Sequence, residues 1–490
     1  MTTLRAGRRL PAGSRNRPRA ARQDRPAPGL SESLSMPFVL GLFVFSITQP
    51  YLFNFGGFIM APYRVLLMIM LVPLGLNWIS GRYGGFILPD FLVLGHMLWM
   101  PVCMVVNGQG AGMPVYVFSQ FIDIVGGYML GRAAIRNKDD LVFFTRCLLT
   151  VLLILLPFAA LESLRGIMLL NDIAQKLPLA EPHHRSTLSY PPRFGMLRAQ
   201  TATPHPILYG ITSAMAFSLG WLVLPHGRKP VTGKAGRLRW LGGSLGGSFF
   251  ALSAGGWMNV MMQIGLMCYN RMFRGIGARW KLFLWGFAAF YVFLIFYSER
   301  PPFVVLSRLV ALDQETAWFR FLIYQYGSAE VARHPIFGMG LFTDYIRPAW
   351  MIPSVDNHWL LQAMRWGWPG FLMLLGAAFY PVIKLGLKDF RGNAMLSDLR
   401  YAMIFAMVPY YVSMATVAVW NIQYSLIMLM MGACAWLIRA EPDPSVAETA
   451  ETAEPEAQEE RAPRSRFTRF PGRAAARRAA RADRAPPARR

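Results

Sequence analysis

Runs of about 20 apolar residues recur from Met36 to Ile438, and this feature limits the folds open to the chain more than any other. A helix needs roughly 20 residues to cross the hydrocarbon core of a bilayer. Only 16% of the residues are charged, whereas about 25% are charged in a soluble globular protein. The sequence therefore predicts an all-α, polytopic integral membrane protein.

The apolar runs predict about twelve transmembrane helices within a domain of residues 36–440. The runs cover residues 36–54, 61–80, 86–106, 115–131, 141–160, 206–224, 240–253, 256–270, 281–297, 366–385, 401–417 and 421–438. The two runs that flank Ser253 are short and rich in glycine, and they predict either two short helices or one broken pair.

Basic residues predict the orientation of these helices. Lys and Arg accumulate in cytoplasmic loops, and an even number of spans places every short basic loop and both tails on that side. The loop residues are Arg132, Arg136, Lys138, Arg228, Lys229, Lys234, Arg237, Arg239, Arg271, Arg274, Arg279, Lys388 and Arg391. We therefore predict a multi-pass protein of a bacterial inner membrane with both termini in the cytoplasm.

The net charge of +24 would suggest a nucleic-acid partner in a soluble chain. No basic fold with interleaved aromatic residues is visible, so membrane lipids and not nucleic acid are the predicted partners. Residues 1–35 and 441–490 are too polar to bury a core and are predicted to be disordered tails, the second acidic and then Arg-rich. The four cysteines lie in apolar runs without metal or disulfide spacing, which favours core positions.

Two long loops, of about residues 161–205 and 298–365, fall on the predicted periplasmic side. Loops of this length suggest function, because short links suffice to join antiparallel helices. The first loop ends in Arg198-Ala-Gln-Thr-Ala-Thr-Pro-His205-Pro206. The planar fork of an arginine suits phosphate, although an arginine at a helix end also anchors among headgroups. His205 and Pro206 are typical of a helix start.

The second loop contains Arg308 and Arg320, followed by His334-Pro-Ile-Phe-Gly338-Met-Gly340 and Asp356-Asn-His358-Trp-Leu360. A turn rich in glycine continues from Arg365 to Gly370. Neither loop holds an Asp-x-Asp sequence or a histidine cluster suited to a metal ion. No metal and no other cofactor is predicted.

In this order, the elements of both loops resemble the O-antigen ligase and polymerase family of bacterial polysaccharide assembly, over about residues 36–438. The resemblance implies a metal-independent glycosyltransferase of the multi-span GT-C type. Such an enzyme moves a glycan from a polyprenyl-diphosphate carrier to a hydroxyl of an acceptor glycan or lipid at the periplasmic face. Arg198 and Arg320 match the family arginines expected to hold the diphosphate, and Arg64, Arg308 and His205 are further candidate contacts.

Two departures from the family pattern concern the site. The family's histidine falls on Asp356, while His358 stands two positions later, so both are candidate catalytic residues. Asp356 could instead cap the following helix, which would leave His358 as the base or a reaction that needs no side-chain base. The substitution slightly favours a polymerase over a ligase. The second departure is Thr201, which stands where the first motif usually has glycine.

Ionisable residues inside the predicted spans are functional candidates by default. Arg64 fits either a headgroup anchor or a site contact, and Asp123 fits either a pair with another helix or catalysis. His96 is expected to be a hydrogen-bonded core residue. The alternative function is a transporter or flippase of polysaccharide precursors, which predicts two similar halves with corresponding broken helices. No such repeat is visible, and a non-enzymatic assembly scaffold is a third interpretation.

Overall fold

The computed structural model describes residues 35–55, 58–111, 113–176, 180–182, 190–298, 305, 314–341, 343–390 and 392–441. Helices dominate these residues. They are α1 (Met36–Phe45), α2 (Pro62–Ile79), α3 (Leu88–Val106), α4 (Met113–Phe121), α5 (Gly127–Ala134), α6 (Lys138–Arg165), α7 (Leu169–Gln175), α8 (Pro206–Leu222), α9 (Lys234–Phe250), α10 (Ala254–Met272), α11 (Arg279–Tyr297), α12 (Gln314–Arg333), α13 (His358–Leu387), α14 (Ala394–Met414) and α15 (Ile422–Arg439).

Seven helical segments of the described chain are long and apolar enough to cross a membrane. They are Pro62–Ile79, Leu88–Val106, Met113–Ala134, Lys138–Arg165, Arg279–Tyr297, His358–Leu387 and Ile422–Arg439. Two shorter apolar helices are Met36–Thr48 and Pro206–Leu222. The chain is therefore an all-α membrane protein. Each of the twelve apolar runs overlaps a helix, but a total of twelve spans stays a prediction.

A small sheet adjoins the first helices. The strands β1 (Tyr51–Phe55), β2 (Phe58–Met60) and β3 (Ala180–Pro182) form an antiparallel sheet in the order β2-β1-β3. The first apolar run is thus helical only as far as a short 3-10 turn at Ser46–Thr48. Because β3 belongs to the first long loop, the sheet connects that loop to the start of α2.

Close helix packing places the fourth predicted span against α15. A Cβ atom on Gly131 would lie 2.0 Å from the carbonyl oxygen of Leu429, and one on Gly432 would lie 2.1 Å from that of Tyr128. Small residues allow such backbone approach in membrane bundles. Between α4 and α5 the chain forms a π-helical turn at Ile122–Gly126 that contains Asp123. Irregular turns of this kind occur frequently at functional sites.

Helix α13 is interrupted at Gly367, where φ is 65° and ψ is −174°. The His-Pro turn of the second long loop packs into this break. The backbone N–H of Trp368 donates to Pro335 (2.8 Å), and that of Met339 donates to Met364 (2.8 Å). Trp99 of α3 supports the other side, because its indole N–H donates to the Trp366 carbonyl at 2.9 Å. The broken helix therefore holds the second loop against the bundle.

Candidate functional site

Three candidate residues from distant parts of the sequence meet one short segment, Val419-Trp420-Asn421, named here the 419–421 loop. The Val419 N–H donates to Nδ1 of His358 at 3.3 Å. The Trp420 and His205 rings pack edge to face, with their centres 6.3 Å apart. Arg64 donates a hydrogen bond to Oδ1 of Asn421 at 3.4 Å. The sequence analysis missed this loop, since it carries no motif and was used only to place a helix boundary.

The backbone of Asn421 supports a special role for this loop. Its φ of 55° and ψ of −144° are rare for a residue other than glycine. Such conformations persist where surrounding structure fixes them, and they cluster at functional sites. The side chain of Asn421 also lines a cleft of about 10 Å³ beside Tyr63 and Ala202. This cleft joins the loop to the end of the first long loop.

Arg64, which is partly exposed, forms an ion pair with the buried Asp123. Its Nε and Nη2 atoms donate to the two carboxylate oxygens at 2.9 and 2.6 Å. The hydroxyl of Tyr63 adds a third hydrogen bond to Asp123 at 2.9 Å. This geometry is the bidentate arrangement that arginine makes with carboxylates. Asp123 thus pairs with another helix, one of the two interpretations predicted for it, and Arg64 is oriented toward the 419–421 loop.

Arg198 belongs to an aromatic corner next to His205. Its guanidinium lies 5.6 Å from the centre of the Tyr190 ring. The Tyr190 and His205 rings pack edge to face, with their centres 4.6 Å apart. Burial and the charge of Arg193 lower the pKa of Arg198 to about 10. The Nε atom of Arg198 is buried without a hydrogen-bond partner in the described part of the chain. A desolvated, unsatisfied guanidinium is suited to an anion.

Arg193 lies within electrostatic range of both Arg198 and Arg320. Its Nη1 atom donates to the Leu252 carbonyl at 2.8 Å. Burial lowers the pKa of Arg320, Asp356 opposes this shift, and Arg193 adds to it. The Nη1 atom of Arg320 is also buried without a hydrogen-bond partner among the described residues. We name Arg193, Arg198 and Arg320 the arginine cluster. The sequence analysis missed Arg193, which stands outside the matched motif.

Asp356 is exposed and lies beside this cluster. Its Oδ1 accepts a hydrogen bond from the Ser354 hydroxyl at 2.7 Å. It does not cap α13, because the side chain of Asn357 accepts from the Leu360 N–H at 3.0 Å instead. The capping alternative was therefore wrong by one residue. The Asp356 carboxylate is left facing solvent and the Arg320 charge.

His358 lies inside the bundle and is only 2% exposed. Its Nδ1 accepts from Val419 at 3.3 Å, and its Nε2 faces the side-chain amide of Gln362 at 3.4 Å. The ring also meets Tyr424 edge-on at 4.9 Å. Both nitrogens are engaged, which favours a structural role. His96 has the predicted core environment, being fully buried with Nδ1 at 2.8 Å from the Gly370 carbonyl.

His205 caps helix α8, as its sequence position predicted. Its Nδ1 accepts from the Ile207 N–H at 3.1 Å. This bond fixes the His205 ring at the start of α8, where it contacts the rings of Tyr190 and Trp420.

Glu162, near the end of α6, organises the segment that carries Arg198. It is 3% exposed, and its Oε2 accepts from the backbone N–H groups of Gln200 (2.9 Å) and Thr201 (2.8 Å). Thr201 has a φ of 52°, a left-handed conformation that favours glycine. A glycine would therefore adopt the backbone of position 201 without strain.

One candidate, Arg308, lies outside the described residues. Within the described part, no group of three or more His, Cys, Asp and Glu side chains could hold a metal ion. No protein-family model matches this chain, and no curated protein matches it significantly.

Proposed function

We propose that this protein is a membrane glycosyltransferase of exopolysaccharide or O-antigen assembly, and a polymerase in preference to a ligase. It transfers a glycan from a polyprenyl-diphosphate carrier to an acceptor hydroxyl at the periplasmic face of a bacterial inner membrane. The observation that carries the proposal is the arginine cluster. Two long loops contribute to it, and Arg198 and Arg320 keep buried guanidinium N–H groups without partners in the described chain.

The chemistry of the donor explains why such a cluster is useful. When the glycosidic bond to the carrier breaks, negative charge grows on the leaving diphosphate. Fixed guanidinium groups stabilise that charge in the transition state, most strongly where water is excluded. The charges of Arg193, Arg198 and Arg320 exceed the single negative charge of Asp356, which acts on Arg320. This excess of positive charge suits an anionic diphosphate.

Asp356 is the residue that we assign to the acceptor. Its carboxylate is accessible, lies next to Arg320 and does not take part in helix capping. A carboxylate can accept the proton of an acceptor hydroxyl within hydrogen-bond reach. His358 is the less suitable base, because it is buried and both of its ring nitrogens are engaged. Its contact with Val419 instead fixes the 419–421 loop.

The topology proposal is twelve spans with both termini in the cytoplasm, supported by the positions of the basic loops. It is tested with a reporter that is active only in the cytoplasm, fused after Leu238 or Arg279. Activity at both points agrees with the proposal. A periplasmic signal at either point would place the basic loops on the wrong side and overturn it.

The functional proposal is tested with purified protein in lipid nanodiscs and a polyprenyl-diphosphate-linked oligosaccharide as donor and acceptor. The wild type should produce longer glycans. Arg320→Lys should lose most of this activity, since lysine keeps the charge but loses the bidentate fork. Arg347→Lys is the matched control, because Arg347 belongs to the same long loop but is paired with Asp344 at 2.5 Å. Equal activity of both variants would contradict the assignment of Arg320.

A further inference from the structure

Glu162 is a buried acid that no motif points to. In the described part of the chain no Lys, Arg or His forms an ion pair with it, and its Oε1 atom has no hydrogen-bond partner. A buried carboxylate is costly unless hydrogen bonds compensate for lost water. Here the compensation is supplied by two backbone N–H groups of the first long loop. The Oε2 atom of Glu162 is therefore committed to the backbone of Gln200 and Thr201.

These two amides lie two and three positions after Arg198. Arg198 lies on a strap, residues 197–201, that is held at four backbone positions. The Leu197 N–H donates to Ser163 (3.0 Å), and the Ala199 N–H donates to Phe250 (2.9 Å). The N–H groups of residues 200 and 201 both donate to Glu162. Only the last two bonds depend on a charged side chain.

We infer that Glu162 is a positioning residue of the donor site, which holds the strap so that Arg198 faces the diphosphate. This inference rests on the proposed function. One carboxyl oxygen accepts both N–H groups, so it fixes two consecutive peptide units of the strap. The left-handed backbone of Thr201 is strained, and an acceptor at its N–H compensates for that strain. A residue without this oxygen at position 162 would leave the strap, and with it the guanidinium, less well fixed.

The test is a double-mutant cycle on donor KM and kcat in the same nanodisc assay. Glu162→Leu keeps most of the bulk and removes the oxygen that accepts both backbone N–H groups. Its donor KM should rise about tenfold, the equivalent of one lost hydrogen bond to a buried group, with kcat much less affected. In the Arg198→Ala background the same change should have less than about a twofold effect, because residues that act through one another are not additive. In the Arg320→Ala background it should keep its full effect.

Asp140→Asn is the matched control. Asp140 belongs to the same helix, at the opposite end, and its carboxylate also accepts a backbone N–H, from Arg136 at 3.0 Å. This variant should leave donor KM unchanged. If Glu162→Leu fails to fold, Glu162→Gln takes its place in the cycle. Its smaller rise in donor KM should likewise disappear in the Arg198→Ala background.

Three outcomes separate the claims. A wild-type KM in the Glu162 variant overturns the inference. A full tenfold effect in the Arg198→Ala background also overturns it, because Glu162 would then act independently of Arg198. A wild-type protein that binds and transfers no diphosphate-linked glycan refutes the proposed function itself.

Discussion

Gly367→Ala tests the broken helix that holds the second long loop. The backbone at Gly367 lies in a region open almost only to glycine, which costs another residue about 1–3 kcal/mol. A Cβ atom would lie 2.1 Å from the Ile336 carbonyl oxygen, so the His-Pro turn must move away. That movement weakens the bonds of Trp368 and Met339 to their partners, at about 1 kcal/mol each. We therefore expect Gly367→Ala to lower the free energy of unfolding by about 3–5 kcal/mol.

The assay is thermal unfolding of the purified protein in detergent, followed by light scattering and intrinsic tryptophan fluorescence. The expected fall in Tm is on the order of 5–10 °C. Gly386→Ala is the control in the same helix, because nothing lies within 4 Å of its added Cβ atom. It should be neutral or stabilising, since alanine is the better helix former. A Gly367 variant with the Tm of the control would refute the account of the break.

The other predictions concern the ion pair and the two loops. Asp123→Leu should lower the free energy of unfolding by about 3–5 kcal/mol, because Arg64 loses its partner. The double variant Asp123→Leu/Arg64→Leu should recover much of the lost Tm, and no recovery would contradict the pairing. Thr201→Gly should unfold at the same or a higher temperature. Relief of about 1–2 kcal/mol of left-handed backbone strain offsets the entropy that a more flexible glycine loses on folding. A clear fall in Tm would argue against strain at this position. Asp356→Asn should abolish glycan extension without changing Tm. His358→Ala should lower Tm and retain more glycan extension. The reverse pattern would identify His358 as the base.

The helices follow from the sequence for a simple reason. A backbone in lipid must satisfy its own hydrogen bonds, so each apolar run that is long enough becomes helical. The start of α8 at Pro206 was predicted for the same kind of local reason, the His-Pro pair. The first run is an exception, since its last residues pair as β1 with the distant strand β3. Such pairing leaves no local signal.

The candidate site was predicted only where motifs mark it. Arg198, Arg320 and His205 belong to motifs, but Arg193 and Glu162 act through contacts that arise only in the folded chain. Arg64 and Asp123 lie 59 positions apart. Pairing of Asp123 with some other helix could be predicted, because ionisable groups in a membrane need partners. The identity of the partner, Arg64, could not be predicted, since many helices offered one. The cap of α13 was missed by a single residue, because aspartate and asparagine cap about equally well.

The central claim is that the arginine cluster takes part in glycan transfer from a polyprenyl diphosphate. The most direct measurement is the length of glycan formed by wild type, Arg198→Lys and Arg320→Lys in nanodiscs supplied with the lipid-linked donor. We expect extended glycans and released polyprenyl diphosphate with the wild type only. Undiminished extension by both lysine variants would contradict it, as would a wild type that carries the donor across a vesicle membrane and forms no glycosidic bond.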